Sequence, residues 1–134
     1  MSLKRRAKSA LAKRSPDPYA RPVLVVEDDA GVRAYIVAVL QNRGFRVVAA
    51  ETADQALRIL EREPAQLAVL DIGLPGQMDG FALAEHLGDD VAVIMVTGDP
   101  VRALGHDQYR ILHKPVVPEA LEQAVQQAVG IATA

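Results

Sequence analysis

Residues 23–28 read Val-Leu-Val-Val-Glu-Asp, an uninterrupted apolar run that ends in two acids. Four consecutive valine and leucine residues are typical of a central parallel strand, which is buried on both faces and so lacks apolar–polar alternation. Residues 67–70 (Leu-Ala-Val-Leu) and 91–96 (Val-Ala-Val-Ile-Met-Val) repeat the pattern. The three runs predict three central strands of one parallel sheet.

Two further runs, residues 45–50 and 109–112, contain Arg46 and Arg110 and predict strands nearer the sheet edges. Helical patterns separate the strands: they cover residues 30–43, the stretch from a Thr52 capping box to near Pro64, residues 80–87, and the stretch from Pro118 onward. This alternation predicts an α/β fold with an open, doubly wound parallel sheet. Residues 98–108 hold two glycines and a proline, so we expect the fourth helix to be short or disordered.

The chain has 134 residues, half of them hydrophobic, which suits a single globular domain. It contains no cysteine, which excludes disulfide scaffolds, thiolate metal sites and cysteine nucleophiles. No apolar run approaches the roughly 20 residues that cross a bilayer. We therefore expect no membrane span and a cytoplasmic location.

Charge is divided unevenly along the chain. Residues 1–22 carry seven lysines and arginines and one acid, whereas the remainder carries eight basic and sixteen acidic side chains. The sequence Ser-Pro-Asp-Pro at residues 15–18 ends any helix in the basic part. We expect a basic flexible tail or linker over residues 1–21 and a folded domain over residues 22–130. The tail could contact nucleic acid or acidic lipid, or be a solvated tether or the cut end of a longer chain.

Polar side chains follow four of the predicted strands. Glu27 and Asp28 follow the first strand, Asp71 the third, Thr97 the fourth and Lys114 the fifth. If the first and third strands are neighbours, three carboxylates meet at one edge of the sheet, and their repulsion requires a cation. Without cysteines, and with no histidines at ligand spacing, an all-oxygen Mg²⁺ site is indicated. The same arrangement suits phosphoryl transfer in which one carboxylate becomes an aspartyl phosphate.

Several motifs occur in a fixed order, each at a strand end. They are VLVVED at residues 23–28, LDIGLP at residues 70–75, Asp79-Gly80, Val96-Thr97-Gly98 and His113-Lys114-Pro115. Together they closely resemble the receiver domain of bacterial two-component response regulators, over residues 22 to about 128. The resemblance implies a flavodoxin-like five-stranded sheet with strand order 2-1-3-4-5.

The resemblance also implies roles for individual residues. Asp71 is the expected phosphoacceptor. The expected metal site consists of Glu27, Asp28, Asp71 and the backbone carbonyl of Gly73, with Asp28 a direct ligand. Thr97 and Lys114 are expected to contact the phosphoryl group. The peptide bond before Pro115 is expected to be cis.

The sequence departs from the family pattern in three places. The loop after Asp71 has one extra residue, near Gln77, and Thr97 and Lys114 are only 17 residues apart. Ile111 stands where the family often has an aromatic switch residue, so the usual coupling of that aromatic to Thr97 is in question. In these features the chain is similar to short receivers with a reduced fourth helix. In such receivers we expect ordering of that loop to carry the signal.

The resemblance implies a signalling module rather than an enzyme, with Mg²⁺-dependent self-phosphorylation and dephosphorylation only. The expected phosphoryl donor is a phosphohistidine on a sensor histidine kinase or a histidine phosphotransfer protein. We expect no DNA-binding domain within these residues, so the output is expected to lie in a partner protein or in a part of a longer chain beyond these residues, with a homodimer possible. The sequence fits a stand-alone regulator, a phosphorelay intermediate or the receiver of a hybrid histidine kinase.

Three alternatives stay open. A phosphatase of the haloacid-dehalogenase type also uses an aspartate nucleophile and Mg²⁺, but it needs a D-x-D pattern after the first strand, which the residues following Val26 do not supply. A flavodoxin-like cofactor binder needs a phosphate-binding loop and flanking aromatics that the chain lacks. A degenerate receiver would keep the fold and serve only as a binding module.

Overall fold

The structure is a computed structural model, and it describes residues 17–130. It contains five strands, β1 (Val23–Val26), β2 (Val47–Ala50), β3 (Leu67–Asp71), β4 (Ala92–Thr97) and β5 (Arg110–His113). Four α-helices accompany them, α1 (Ala30–Asn42), α2 (Ala53–Arg62), α3 (Gly80–Leu87) and α4 (Pro118–Val129). Two short 3₁₀ turns lie at Gly88–Asp90 and Pro100–Ala103.

All five strands are parallel and lie in the order β2-β1-β3-β4-β5, which confirms the predicted order. β2 begins at Val47, two residues later than predicted, and β4 and β5 each lie one residue later. The pairing of Thr97 with His113 accounts for the later ends of β4 and β5. On the other side of β4, Asp71 pairs with Val96.

The sheet separates two apolar layers, because side chains along a strand point alternately to its two faces. Val23 and Val25 of β1 pack in the layer under α1 and α4, together with Ile36, Leu40, Leu121 and Val125. Leu24 and Val26 pack in the opposite layer under α2 and α3, together with Ala53, Ala56, Leu83 and Ala84. Since β1 is buried on both faces, its uninterrupted apolar sequence is explained.

Short polar residues begin three of the helices. The side chains of Asp29, Thr52 and Asp79 accept hydrogen bonds from amides in the first turns of α1, α2 and α3. The predicted capping box at Thr52 is only half formed. Gln55 Oε1 accepts from the amide of Glu51 instead of that of Thr52.

The segment between β4 and β5 is short, as predicted. Its helical content is the single 3₁₀ turn Pro100–Ala103, which the Asp99 side chain caps by accepting from the Val101 amide at 3.0 Å. Two large apolar residues on this segment, Val101 and Leu104, are exposed. Ala103 of the same turn packs against the layer under α2 and α3, so the turn contacts that layer through a small residue, whereas Val101 and Leu104 are directed to solvent.

The last residues of the predicted tail contact the folded domain. Gln66 Nε2 donates to the backbone carbonyls of Pro18 and Arg21. The ring of Tyr19 packs on that of Phe45 with centroids 5.0 Å apart. Residues 1–16 of the tail predicted over residues 1–21 lie outside the described residues. Among residues 17–130, no helix has the length and apolar character needed to cross a bilayer.

Candidate functional site

The carboxyl ends of the central strands bring the predicted site residues to one edge of the sheet. Glu27 directly follows β1, and Asp71 is the last residue of β3, the strand paired with β1. Thr97 ends β4, and the amide of Lys114, directly after β5, donates to the Thr97 carbonyl at 2.8 Å. Four segments that are distant in sequence thus meet at the edge where open α/β sheets bind ligands.

Three carboxylates form a compact cluster at this edge. Oxygen atoms of Glu27, Asp28 and Asp71 all lie within 4.8 Å of one another. Glu27 is 1% exposed and Asp71 is 8% exposed, whereas Asp28 is open to solvent. Buried carboxylates at this spacing repel one another unless a cation or proton lies between them.

Lys114 supplies part of the compensating charge. Its Nζ lies 2.6 Å from Glu27 Oε1 and 3.5 Å from Asp71 Oδ2. Burial by itself would lower the pKa of Lys114, but the hydrogen bond to Glu27 and the charge of Asp71 outweigh it, so the pKa is raised. The lysine is therefore held in its charged form between two acids.

Glu27 is the most perturbed acid of the cluster. Burial, followed by the hydrogen bond with Asp71, raises its pKa to about 7, although Lys114 and the Asp29 amide act in the opposite direction. Its Oε2 accepts from the amide of Asp29 at 3.2 Å. Its Oε1 is buried and, beyond the ion pair with Lys114, makes no well-aligned hydrogen bond. An oxygen with unused lone pairs beside two further carboxylates suits a hard divalent cation.

The backbone around Asp71 is tightly constrained. The amide of Gly73 donates to Asp71 Oδ1 at 3.0 Å, which orients the carboxylate. A side chain at Gly80 would overlap the carbonyl oxygen of Asp71, so the start of α3 can lie against β3 only because residue 80 is a glycine. The loop thus fixes both the carboxylate and the peptide that carries it.

The Thr97 hydroxyl is hydrogen-bonded to the backbone of Asp99. It donates to the Asp99 carbonyl and accepts from the Asp99 amide, both at 3.0 Å. Thr97 is 3% exposed. Its hydroxyl proton is therefore already used in the turn that follows β4.

Two other predicted positions are placed as follows. The Lys114–Pro115 peptide bond is cis. Ile111 is partly buried in the layer under α2 and α3, where Tyr109 also packs, and the Tyr109 ring lies 5.9 Å from that of Phe81. An aromatic side chain therefore packs against Phe81 of α3 from Tyr109, the residue directly before β5 and two residues before Ile111.

Two arginines at this edge were not predicted from the sequence. Arg33 of α1 donates from Nη1 to the carbonyl of Glu27 at 2.8 Å and from Nη2 to Glu51 Oε1 at 3.5 Å. Arg102 of the 3₁₀ turn Pro100–Ala103 lies beside Gly73. Neither residue belongs to a sequence motif at a strand end. Arg33 reaches the edge from a helix and Arg102 from a turn, each by means of a long side chain.

Comparison of the sequence with protein families and curated proteins gives consistent results. The family model described as response regulator receiver domain matches residues 23–126. A probable transcriptional regulator, ycf27 of Porphyridium aerugineum, is 33% identical over 113 residues, which are 78% of this chain and 46% of that protein. The transcriptional regulatory protein GlrR of Escherichia coli is 33% identical over 114 residues, 79% of this chain and 26% of that protein. The chain thus spans less than half the length of these relatives.

Solved structures that are similar to this chain include receiver domains. The receiver domain of NtrX from Brucella abortus superposes with a TM-score of 0.75 at 26% identity, over 82% of this chain and 99% of that one. A CheY-like receiver domain protein from Methanospirillum hungatei gives a TM-score of 0.71 at 30% identity, over 82% of this chain and 94% of that one.

Proposed function

The chain belongs to the response regulator receiver domain family, and on this basis we propose that Asp71 accepts a phosphoryl group from a phosphohistidine donor in an Mg²⁺-dependent reaction. One observation carries the assignment. Asp71 is the carboxylate that ends a central strand, lies within 4.8 Å of two other acids and has the Lys114 ammonium 3.5 Å from its Oδ2. Receiver domains are signalling domains, so we propose that phosphorylation of Asp71 acts by changing the protein surface.

The metal ligands that we propose are Glu27, Asp28, Asp71 and the backbone carbonyl of Gly73. The donor set is all oxygen, which suits Mg²⁺. When bound, the ion neutralises charge on the transferring phosphoryl oxygens. Asp28 is exposed and can bind the ion directly, and the buried Glu27 carboxylate offers an oxygen within 4.8 Å of an Asp28 oxygen.

The transfer step is a displacement at phosphorus. A carboxylate oxygen of Asp71 attacks the phosphorus, a P–O bond forms, and the P–N bond to the donor imidazole breaks. The imidazole nitrogen keeps the electron pair and takes up a proton from solvent. Lys114, held charged beside Asp71, stabilises the anionic oxygens as they approach. The signal ends by hydrolysis: water attacks the same phosphorus, the P–O bond to Asp71 breaks, and inorganic phosphate leaves with the protons of the water while the carboxylate is restored.

We propose that Thr97 reports the phosphoryl group. To donate to a phosphoryl oxygen, its hydroxyl must give up the hydrogen bond to the Asp99 carbonyl, because a hydroxyl has one proton to donate. The same Asp99 carbonyl also accepts from the Arg102 amide at 3.2 Å. Movement of Thr97 therefore removes one of the hydrogen bonds at the start of the turn Pro100–Ala103, and we expect that segment to reorganise.

Receiver domains accept phosphoryl groups from histidine kinases. For this chain we propose a sensor histidine kinase or a histidine phosphotransfer protein as the donor, and a protein partner as the output. Ile111 is proposed as part of the switch surface because it lies in β5 beside the segment that Thr97 controls.

The deciding experiment is the intact mass of the protein after incubation with acetyl phosphate. We expect one phosphoryl adduct on the wild-type protein with Mg²⁺, none without the metal, and none on Asp71→Asn. Asp54→Asn is the matched control, since Asp54 is an exposed acid in the first turn of α2 and undergoes the same chemical change. An adduct of equal yield on Asp71→Asn would overturn the assignment, and no adduct from either acetyl phosphate or a phosphohistidine donor would indicate a degenerate receiver.

A further inference from the structure

A further cation, besides Lys114 and Arg33, reaches this edge from the turn between β4 and β5. Arg102 lies in the 3₁₀ turn Pro100–Ala103, and its side chain crosses to the loop between β3 and α3. Its Nη1 would lie 2.9 Å from a Cβ added at Gly73, and its Nη2 is 3.9 Å from Asp79 Oδ2. The guanidinium therefore lies over the loop that directly follows Asp71.

Gly73 brings this guanidinium and the Asp71 carboxylate to the same place. The Gly73 amide donates to Asp71 Oδ1, and the same added Cβ would lie 3.8 Å from that oxygen. Because residue 73 has no side chain, nothing on it separates the arginine from the carboxylate. On the basis of the proposed function, we propose that Arg102 contacts the phosphoryl group once Asp71 is phosphorylated and thereby joins the turn Pro100–Ala103 to the phosphorylated site.

The present partner of Arg102 is weak. Asp79 Oδ1 accepts from the Ala82 amide at 2.9 Å as the cap of α3, which leaves Oδ2 to face the guanidinium. At 3.9 Å, with side chains 47% and 41% exposed, this ion pair contributes little. A phosphoryl group offers three anionic oxygens that match the planar fork of an arginine. The guanidinium therefore gains by turning from Asp79 to the phosphoryl group.

The charge of the site also changes in the direction that favours this contact. Three carboxylates are balanced by Lys114 and a divalent ion, and phosphorylation adds about one further negative charge. Lys114 is already paired with Glu27 at 2.6 Å. Arg33 is held by the Glu27 carbonyl and Glu51. Arg102 is a cation at this edge whose partner is both distant and solvated.

The test uses beryllofluoride with Mg²⁺ as a stable stand-in for the phosphoryl group. Fluorine NMR titrations give its affinity for the wild-type protein, Arg102→Gln, Arg102→Lys and the matched control Arg110→Gln, which removes an exposed arginine paired with Gln127. We expect Arg102→Gln to weaken beryllofluoride binding roughly tenfold, which is the effect of losing one charge-assisted hydrogen bond to an anion. Arg102→Lys should recover part of this loss, and Arg110→Gln should bind as the wild type does. The affinity for Mg²⁺ alone, measured in parallel, should change less than twofold in all of them.

Several outcomes would overturn the proposal. Equal beryllofluoride affinity for Arg102→Gln and Arg110→Gln would show that Arg102 does not reach the phosphoryl group. A parallel loss of Mg²⁺ affinity in Arg102→Gln would assign the arginine to assembly of the loop instead. Failure of the wild-type protein itself to bind beryllofluoride or to form the acetyl phosphate adduct would contradict the proposed function, so the two failures are distinguishable.

Discussion

Glu27 shows how one buried side chain sets the chemistry of the whole edge. It is almost fully enclosed, yet it neighbours two other acids and is compensated by a single lysine. Burial therefore dominates, and its pKa is raised to about 7. In the absence of metal, Glu27 is therefore partly protonated near neutral pH, and this protonation limits the repulsion within the cluster.

The raised pKa predicts a specific pH dependence of stability. Between the ordinary value of 4.5 and about 7, the folded protein binds the Glu27 proton more tightly than the unfolded chain does. The free energy of unfolding contributed by this group therefore falls as the pH rises through that window. Glu27→Gln mimics the protonated form, so we expect the wild-type protein to match the variant near pH 5 and to be less stable than it near pH 8.

The measurement is urea unfolding of both proteins with a chelator present, at several values of pH. Glu61→Gln serves as the control because Glu61 is exposed on α2. A difference between wild type and Glu27→Gln that stays constant with pH would mean that Glu27 is ionised throughout, and the raised pKa would be wrong.

The start of α3 depends on the absence of a side chain. Gly80 is buried against the Asp71 carbonyl and the Cα of Ile72, where an added Cβ has no space. Asp79 caps the same helix and faces Arg102, so α3, the β3–α3 loop and the turn Pro100–Ala103 meet around this position. The geometry of the loop that follows Asp71 therefore depends on how closely α3 can approach β3.

We expect Gly80→Ala to destabilise the protein by about 1–3 kcal/mol, because the backbone must move to admit the methyl group. We also expect it to slow adduct formation at Asp71, whose carbonyl is displaced. Gly31→Ala is the control, since Gly31 lies in α1 and an added Cβ there meets only the Asp29 side chain at 3.3 Å. Thermal unfolding and intact mass measure the two effects. Equal stability of Gly80→Ala and wild type would show that the loop yields easily and does not hold Asp71.

The strands and helices could be predicted well from the sequence, whereas the contacts between loops could not. Apolar runs identified the central strands because a strand buried on both faces admits no polar residue. Strand ends then located Glu27, Asp71, Thr97 and Lys114. The sequence carries no signal for Arg102 beside Gly73, because that contact depends on where a single 3₁₀ turn directs one side chain. The half-formed capping box at Thr52 could not be predicted either, because the neighbouring amides of Glu51 and Thr52 compete for the Gln55 side chain.

The domain also includes residues that the charge pattern assigns to the tail. Gln66 binds the carbonyls of Pro18 and Arg21, and Tyr19 packs on Phe45. The distribution of charge along the sequence shows where the basic residues end, but it cannot show that the Tyr19 ring packs on that of Phe45. We therefore expect residues 17–21 to contribute to stability, although they lie before the first strand.

We predict that a chain beginning at residue 22 is less stable than one beginning at residue 17 by about 2 kcal/mol. The shorter chain loses one aromatic pair and two hydrogen bonds to a partly buried amide. Urea unfolding of the two chains measures the difference, and Tyr19→Ala in the longer chain separates the contribution of the ring. Equal midpoints for the two truncated chains would show that this segment adds nothing to the fold.

The ion pair between Lys114 and Glu27 joins the last strand to the first across the sheet. During synthesis, β1, β2 and β3 emerge from the ribosome before the lysine that balances their acids exists. A nascent or truncated chain that lacks β5 consequently holds the acidic cluster without its ammonium group, so it cannot form the site in its complete state. On the basis of the proposed function, we expect a chain that ends before Lys114 to accept no phosphoryl group, because the ammonium that balances Glu27 and Asp71 is missing from it.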